Sequence, residues 1–221
     1  MISTPLGSLA TSYAVSTAEM SLARHLVIFA RWPQLGSGKR RLAAGVGAVE
    51  ALRFQRVTLS STLLRLGKDR RWTTWLAVTP DACSTWPSGF GVLRQGAGDL
   101  GRRMARVAKV LPPGPVLIIG SDIPGIGGDA VARAFRALGD HDVVFGPATD
   151  GGFWAVGLRR RPRFVDPFRG VRWSTEHALE DSMRNLSGHA VTSVDSLEDV
   201  DDAPSLARQA QWECLHAARR R

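Results

Sequence analysis

Cysteine occurs only twice in this 221-residue sequence, at Cys83 and Cys214, and lysine only at Lys39, Lys68 and Lys109. Two thiols so far apart, outside any metal-ligand spacing, exclude a disulfide-stapled scaffold and a thiolate zinc site. Histidine is as sparse: His25, His141, His177, His189 and His216 never fall in the i, i+4 pairing by which one helix face grips zinc. No apolar run approaches the roughly 18 to 20 residues that a membrane span needs. The opening stretch MISTPLGSLATSYAVSTAEMSLAR has neither a basic start nor a continuous apolar segment, so it does not read as a signal peptide and the protein is expected in the cytoplasm. Internal repeats and low-complexity blocks are missing as well.

What remains is an ordinary globular composition, 44% hydrophobic and 22% charged, enough to bury the core of one domain. Residues 1–23 are Ser/Thr/Ala-rich and aperiodic and read as a flexible leader, with Met20 an alternative start, while residues 24–221 read as a single folded domain. Charge of one sign is in excess: 29 Lys and Arg against 20 Asp and Glu leave +9, almost all of it carried by arginine. Such a surface attracts anions, whether a nucleotide, a phosphorylated substrate or nucleic acid. Composition alone does not choose among them. The RRR at 159–161 and the terminal ARRR at 218–221 are most simply solvated.

His25–Ala30 (HLVIFA) is a short apolar run bounded by charged and Pro/Gly-rich sequence, which reads as a buried strand. After a glycine-bearing loop, Val49, Leu52, Leu59, Leu63 and Leu66 share one face of a helix that Gly67 can cap. The alternation recurs, with strands expected at 72–78, 116–119, 141–145, 153–158 and 190–194 and helices at 102–110, 129–138, 175–186 and near 204–218. Strands alternating with helices argue an α/β fold on a mainly parallel sheet. In such sheets ligands collect at the carboxyl ends of the strands.

Four loops follow strands and so share that edge. In Arg31–Leu42, glycines allow close backbone approach while Arg31, Lys39, Arg40 and Arg41 bring cations toward a helix N-terminus. That combination suits a di- or triphosphate, although the spacing is not that of a P-loop, and a solvated basic turn is the alternative. In QGAGDLGRRM (95–104) three glycines can open a cleft, and Asp99 either faces it or caps the helix carrying Arg103 and Met104. In VLIIGSDIPGIGG (116–128), Asp122 leaves a strand too apolar to be exposed. Its carboxylate should emerge at the sheet edge, where oxygen ligands hold Mg²⁺ or Mn²⁺ with substrate phosphates and Ser121 can assist; the alternative is an aspartate capping its own turn. In GPATDGGFW (146–154), Asp150 precedes two glycines and two aromatics able to wall a sugar or base, or TDGG is a plain hairpin turn.

Five motifs, FARWPQLGSGKRRL, QGAGDLGRRM, GSDIPG, GPATDGGFWAVGL and VRWST, stand in the order and spacing of the bacterial radical-SAM/selenodomain-associated transferases, which the chain resembles over about residues 24–206. Those proteins are similar to type-A glycosyltransferases and to nucleotide-sugar-forming nucleotidyltransferases. The resemblance implies a type-A glycosyltransferase (Rossmann-like) three-layer α/β fold with a mainly parallel mixed sheet and a nucleotide bound across its N-terminal half. By position it implies Arg31, Lys39, Arg41, Gln95, Gly96, Gly98, Asp99 and Arg103 as nucleotide- and phosphate-binding residues. It makes Asp122 the metal ligand and, with Asp150, a catalytic residue, and it makes Gly151, Gly152, Trp173, Ser174 and Thr175 substrate contacts, to which Trp154 is added as one of the two aromatics after the glycine pair. The chain departs from the family's usual residues at Arg40, Thr149 and Trp154, and DVDDAPSL (199–206) stands where DVDTPEDL is more usual.

Mg or Mn is therefore the expected cofactor, and the expected partners are a nucleotide or nucleotide-sugar donor and a small-molecule acceptor, with a homodimer left open. An ion on Asp122 with the cations Lys39 and Arg41 would offset charge on a leaving nucleoside diphosphate or on leaving pyrophosphate. One constellation thus serves glycosyl or nucleotidyl transfer, with Asp150 the candidate base in the former. WST is expected to start a helix with Ser174 or Thr175 as its N-cap. A metal-dependent transferase using a nucleotide sugar leads, ahead of a nucleotidyltransferase joining an NTP to a phosphorylated small molecule. A non-catalytic anion or nucleic-acid binder ranks last, because the aromatics do not interleave with the basic residues.

Overall fold

The computed structural model describes residues 22–82 and 86–209. Cys83, Cys214, almost all of the expected leader and the expected C-terminal helix beyond 209 lie outside the described residues. In chain order the elements are β1 (His25–Arg31), α1 (Arg40–Val46), α2 (Ala48–Leu66), β2 (Thr73–Thr79), β3 (Gly91–Arg94), α3 (Leu100–Val110), β4 (Val116–Gly120), α4 (Gly128–Ala137), β5 (Val143–Pro147), β6 (Phe153–Leu158), α5 (Ala178–Arg184) and β7 (Val191–Ser193). A further helical stretch follows at 203–209. No helix among the described residues is long and apolar enough to cross a membrane.

The strands form one seven-stranded sheet in the order β3-β2-β1-β4-β6-β5-β7. Only β6 runs against its neighbours β4 and β5; every other pairing is parallel. The fold is thus the mainly parallel mixed α/β sheet that the sequence led us to expect. β1 and β4 pair at the centre with His25 opposite Val116 and Phe29 opposite Gly120. Leu26–Ala30 of β1 and Val116–Ile119 of β4 are apolar throughout because both faces are covered, as parallel strands between helix layers must be. Leu26, Ile28, Leu117 and Ile119 point to the layer of α2 and α4, where they meet Leu59, Leu63, Val131 and Phe135. Val27, Val116 and Ile118 point to the opposite layer and pack on Met104, Val107 and Ala108 of α3.

Four differences from the sequence expectation have local causes. The basic loop is interrupted by α1, whose separation from α2 is set by Gly47 at φ 88°. β3 was not expected, because an exposed four-residue edge strand carries no apolar run. α3 begins two residues early, at Leu100, where the Asp99 carboxylate accepts a 2.7 Å hydrogen bond from the Arg102 amide and caps it. The helix expected from Thr175 starts only at Ala178. Ser174 has a left-handed backbone, φ 61°, and the Thr175 hydroxyl donates to the Arg172 carbonyl at 2.7 Å, so WST closes a turn rather than capping a helix.

Candidate active site

Lys39 occupies the N-cap position of α1 with left-handed backbone angles, φ 36° and ψ 47°, and its side chain is 9% exposed. That unusual conformation aims the amine inward, where Nζ lies 2.8 Å from Asp122 Oδ2 and 2.5 Å from Asp201 Oδ1. Arg41, two residues on and 73% exposed, reaches the other oxygen, Asp201 Oδ2, at 2.5 Å. Burial favours the neutral amine, but the two carboxylates outweigh it and hold Lys39 above the ordinary lysine value. Burial likewise opposes ionisation of Asp201, and the hydrogen bonds and charges of Lys39 and Arg41 more than offset it, leaving that carboxyl below its usual range.

Asp199 and Asp201 reach the site because of the residue between them. Val200 is buried against Leu42 and Ala51 at the corner of α1 and α2, so the alternation of an extended segment turns its two neighbours away from the core. The following helical stretch is capped by Asp202, whose Oδ1 accepts from the Ser205 amide at 2.9 Å, and Ala203 packs so close to Gly45 that a Cβ on that glycine would meet it at 2.7 Å. Asp150 arrives from the β5–β6 hairpin, held by a 2.9 Å bond from the Gly152 amide to its Oδ1. Gly151 in this turn has φ 83°, and a Cβ there would sit 2.1 Å from the Glu176 carbonyl oxygen. Its own carbonyl accepts from the Leu179 amide at 3.1 Å, so this turn and the WST turn are locked together.

The result is a trio, Asp150, Asp199 and Asp201, that can bring one carboxylate oxygen each within 4.8 Å of the others. Burial first, then the charges of Asp201 and Asp150, push Asp199 up to about 6. Like charges are held together here at a cost, as at sites that await a cation.

Three hollows meet around this network. The first, about 680 Å³, is lined by Arg31, Lys39, Arg41, Ser121, Asp122, Ser174 and Asp201. A second, about 550 Å³, holds the trio with Asp122, Gly152, Phe153, Trp173, Ser174 and Thr175. A narrower one, about 270 Å³, lies between Arg31, Thr79, Gln95 and Arg103. In it the buried Gln95 amide donates to the carbonyls of Ala30 and Ala77 at 3.2 and 3.0 Å and accepts from Arg103 at 2.9 Å. Gln95 is thereby spent on tying strand ends together and on orienting Arg103. Arg31 makes no ion pair among the described residues.

Most of the expected site residues therefore converge, but not all as expected. Gly96, Gly98 and Asp99 stand back from the three hollows and shape the turn into α3. Trp154 is only 1% exposed: its indole covers Gly146 and donates to the Asp195 carbonyl at 2.8 Å. Its ring belongs to the core, yet Trp154 also borders the narrow hollow, while Phe153 and Trp173 supply the aromatic surface of the acidic one. Asp199 and Asp201 were quoted in the sequence only as part of a departure, DVDDAPSL, with no role. The available signal was two carboxylates at i, i+2 flanking an apolar residue just after the last strand.

Residues 62–175, just over half the chain, match the model of a family described as an uncharacterized protein conserved in bacteria (DUF2064). Over 105 residues the chain is 33% identical to the 2-phospho-L-lactate guanylyltransferase of Methanopyrus kandleri (strain AV19), which covers 45% of this chain and 55% of that enzyme. The chain thus spans about half the length of that curated relative. Among solved structures it is similar to a protein of Desulfovibrio desulfuricans G20 assigned provisionally as a nucleotide-diphospho-sugar transferase, with TM-score 0.75, 24% identity and coverage of 82% of this chain and 84% of that one. It is also similar to CMP:2-keto-3-deoxy-manno-octonic acid synthetase complexed with CTP, with TM-score 0.56, 12% identity and coverage of 88% and 100%. At these identities the two structures show a shared fold, that of nucleotidyltransferases and nucleotide-sugar transferases.

Proposed function

We propose, for a chain that belongs to the DUF2064 family of bacterial proteins, a divalent-metal-dependent nucleotidyltransferase that joins the nucleoside monophosphate part of an NTP to a small acceptor and releases pyrophosphate. One observation carries this reading: a basic loop and an acidic trio face each other across one cleft and share Asp201. Polyphosphate chemistry needs both, cations for the charge on the leaving group and hard oxygen ligands for a metal. The guanylyltransferase relative agrees with it.

Asp150, Asp199 and Asp201 fit Mg²⁺ or Mn²⁺, since they offer oxygen donors only, and Asp199 is raised first by burial and then by the like charges of Asp201 and Asp150 that an ion would offset. Asp122, expected from the sequence as the ligand, borders the same hollow and adds a fourth carboxylate. Bound there, the ion would act as a Lewis acid toward the phosphoryl oxygens. The chain's own groups do the rest. Lys39 and Arg41 offset the charge that builds on departing pyrophosphate. Arg31 and Arg103 line the narrow hollow with donors for the nucleotide, and Gln95 holds Arg103 in place. Trp173, Ser174 and Thr175 border the space left for an acceptor.

Glycosyl transfer from a nucleotide sugar is the second reading, favoured by Asp150. Its Oδ1 is held by Gly152, while Oδ2 has no partner among the described residues and borders the acceptor lobe, where a base for a hydroxyl acceptor belongs. The narrower kinship with radical-SAM/selenodomain-associated transferases rests on the five ordered motifs and on either reading.

The test is product analysis. The protein is incubated with Mn²⁺, a bacterial small-molecule extract as acceptor source, and each NTP or nucleotide sugar in turn, and phosphorus NMR follows the products. Pyrophosphate from one NTP together with a nucleotide-linked product supports the proposal. Nucleoside diphosphate released from a nucleotide sugar supports the second reading, and neither product from any donor contradicts both.

A further inference from the structure

Asp201 is the one member of the acidic trio that is already occupied. Both of its oxygens carry an ion pair, Oδ1 with Lys39 and Oδ2 with Arg41, each at 2.5 Å, whereas neither Asp150 nor Asp199 pairs with a cation among the described residues. The two partners differ in kind. Lys39 is 9% exposed and fixed between two carboxylates; Arg41 is 73% exposed and makes no other hydrogen bond or ion pair among the described residues, although the charges of Asp202 and Asp199 also act on it. A long exposed side chain held by one ion pair is free to leave when a stronger anion arrives. Arg41 also borders both the basic hollow and the acidic one, so its guanidinium has polyphosphate-sized space on one side and the trio on the other.

From this we infer that Arg41 is a latch coupling triphosphate and metal. In the ligand-free protein it covers an oxygen that the divalent ion needs, and metal loading is held back. A triphosphate in the basic hollow offers Arg41 a bidentate phosphate partner in place of a carboxylate, Arg41 moves to it, and Asp201 is released to the ion. Lys39 stays, keeping Asp122 and Asp201 at a fixed separation. Coupling of this kind is reciprocal: the factor by which Arg41 weakens metal binding is the factor by which bound metal frees Arg41 for phosphate. Arg41 is then a positioning residue as well as a phosphate contact. The inference rests on the metal-site reading above.

The test uses the whole protein and Mn²⁺ alone, so that binding of the ion by nucleotide cannot mimic the effect. Mn²⁺ affinity is read from the free-ion EPR signal in wild type, Arg41→Ala, Arg40→Ala and Arg41→Ala/Asp199→Asn. Arg40 is the control, because it is an exposed cation of the same loop with no ion pair among the described residues, and removing it changes the local field without touching Asp201. We expect Arg41→Ala to bind Mn²⁺ roughly five- to tenfold tighter than wild type, Arg40→Ala to stay within about twofold, and the double variant to lose the gain. Equal or weaker binding in Arg41→Ala, or an equal gain in Arg40→Ala, overturns the latch and leaves the metal site standing. No saturable Mn²⁺ binding in any of the four overturns the metal site and the latch with it.

Discussion

Replacing Lys39 with methionine keeps the length of a mostly buried side chain and removes its charge. Asp122 and Asp201 then face each other without the amine that both contact, at 2.8 and 2.5 Å in the native protein. Two like charges within roughly 5 Å repel by about 3 kcal/mol at an effective dielectric of 20. These carboxylates are 41% and 33% exposed, and solvent screening reduces the penalty to about 1–2 kcal/mol. For a chain of this size that lowers Tm by about 2–8 °C. The sign with pH follows from the native state. Asp201 is held below its ordinary value, so the stability that Lys39 confers through it is present above the unfolded carboxyl value, near 4, and is lost as pH falls through the lower folded value. Thermal unfolding followed by tryptophan fluorescence at pH 7 and pH 3.5 should show the full deficit at pH 7 and a clearly smaller one at pH 3.5. A Tm equal to wild type at pH 7, or a deficit that does not change between the two pH values, refutes the reasoning.

Three other outcomes follow from particular contacts. Gly151→Ala forces a Cβ into the left-handed region and to 2.1 Å from the Glu176 carbonyl; a loss of about 2–4 kcal/mol in urea unfolding is expected, and a loss under 0.5 kcal/mol would show that the two turns are not locked. The Arg160 side chain donates to the carbonyl of Ala108 in the last turn of α3 and to those of Leu111, Pro112 and Gly114 beyond it. Arg160→Ala should lower the urea midpoint by the equivalent of about 2–3 kcal/mol with no change in m, and Arg160→Lys should restore only part of it, because one ammonium cannot span the same carbonyls. Asp199, raised to about 6, must lose its proton to bind a cation. Mn²⁺ affinity should therefore fall as pH drops through 6, while the same group's contribution to folding is present below its unfolded value, near 4, and is lost as pH rises through 6. Asp199→Asn should abolish both trends, and persistence of the affinity trend in that variant would move the titration to another group.

The part of the fold that could be read in the sequence is the part fixed by local hydrophobic pattern. Val116–Ile119 is apolar at every position because β4 is covered on both faces, and the same holds for Leu26–Ala30 of β1, so both strands and the edge where they end were evident. Asp99 could be named as a cap and Asp150 as a turn residue for equally local reasons. What the sequence hid depends on distant partners. Asp201 lies 162 residues from Lys39, and nothing in DVDDAPSL reveals that Val200 docks between α1 and α2. The burial of Trp154 was hidden because an aromatic after a glycine pair looks the same in sequence whether it is exposed or packed in the core. The turn at Ser174 escaped because Ser and Thr before an acidic residue favour a cap on average, whereas here the Thr175 hydroxyl bonds back to Arg172.

The central claim, that this cleft takes a nucleoside triphosphate with a divalent ion, is tested most directly by thermal unfolding of wild type and Asp201→Asn with each of the four NTPs, with and without Mn²⁺. A ligand that binds only the native state raises Tm in proportion to its affinity. We expect one NTP to raise Tm by several degrees in wild type, more with Mn²⁺ than without, and the Mn²⁺-dependent part to vanish in Asp201→Asn. An unchanged Tm with every NTP and Mn²⁺, or a metal-dependent shift that survives Asp201→Asn, would contradict the account.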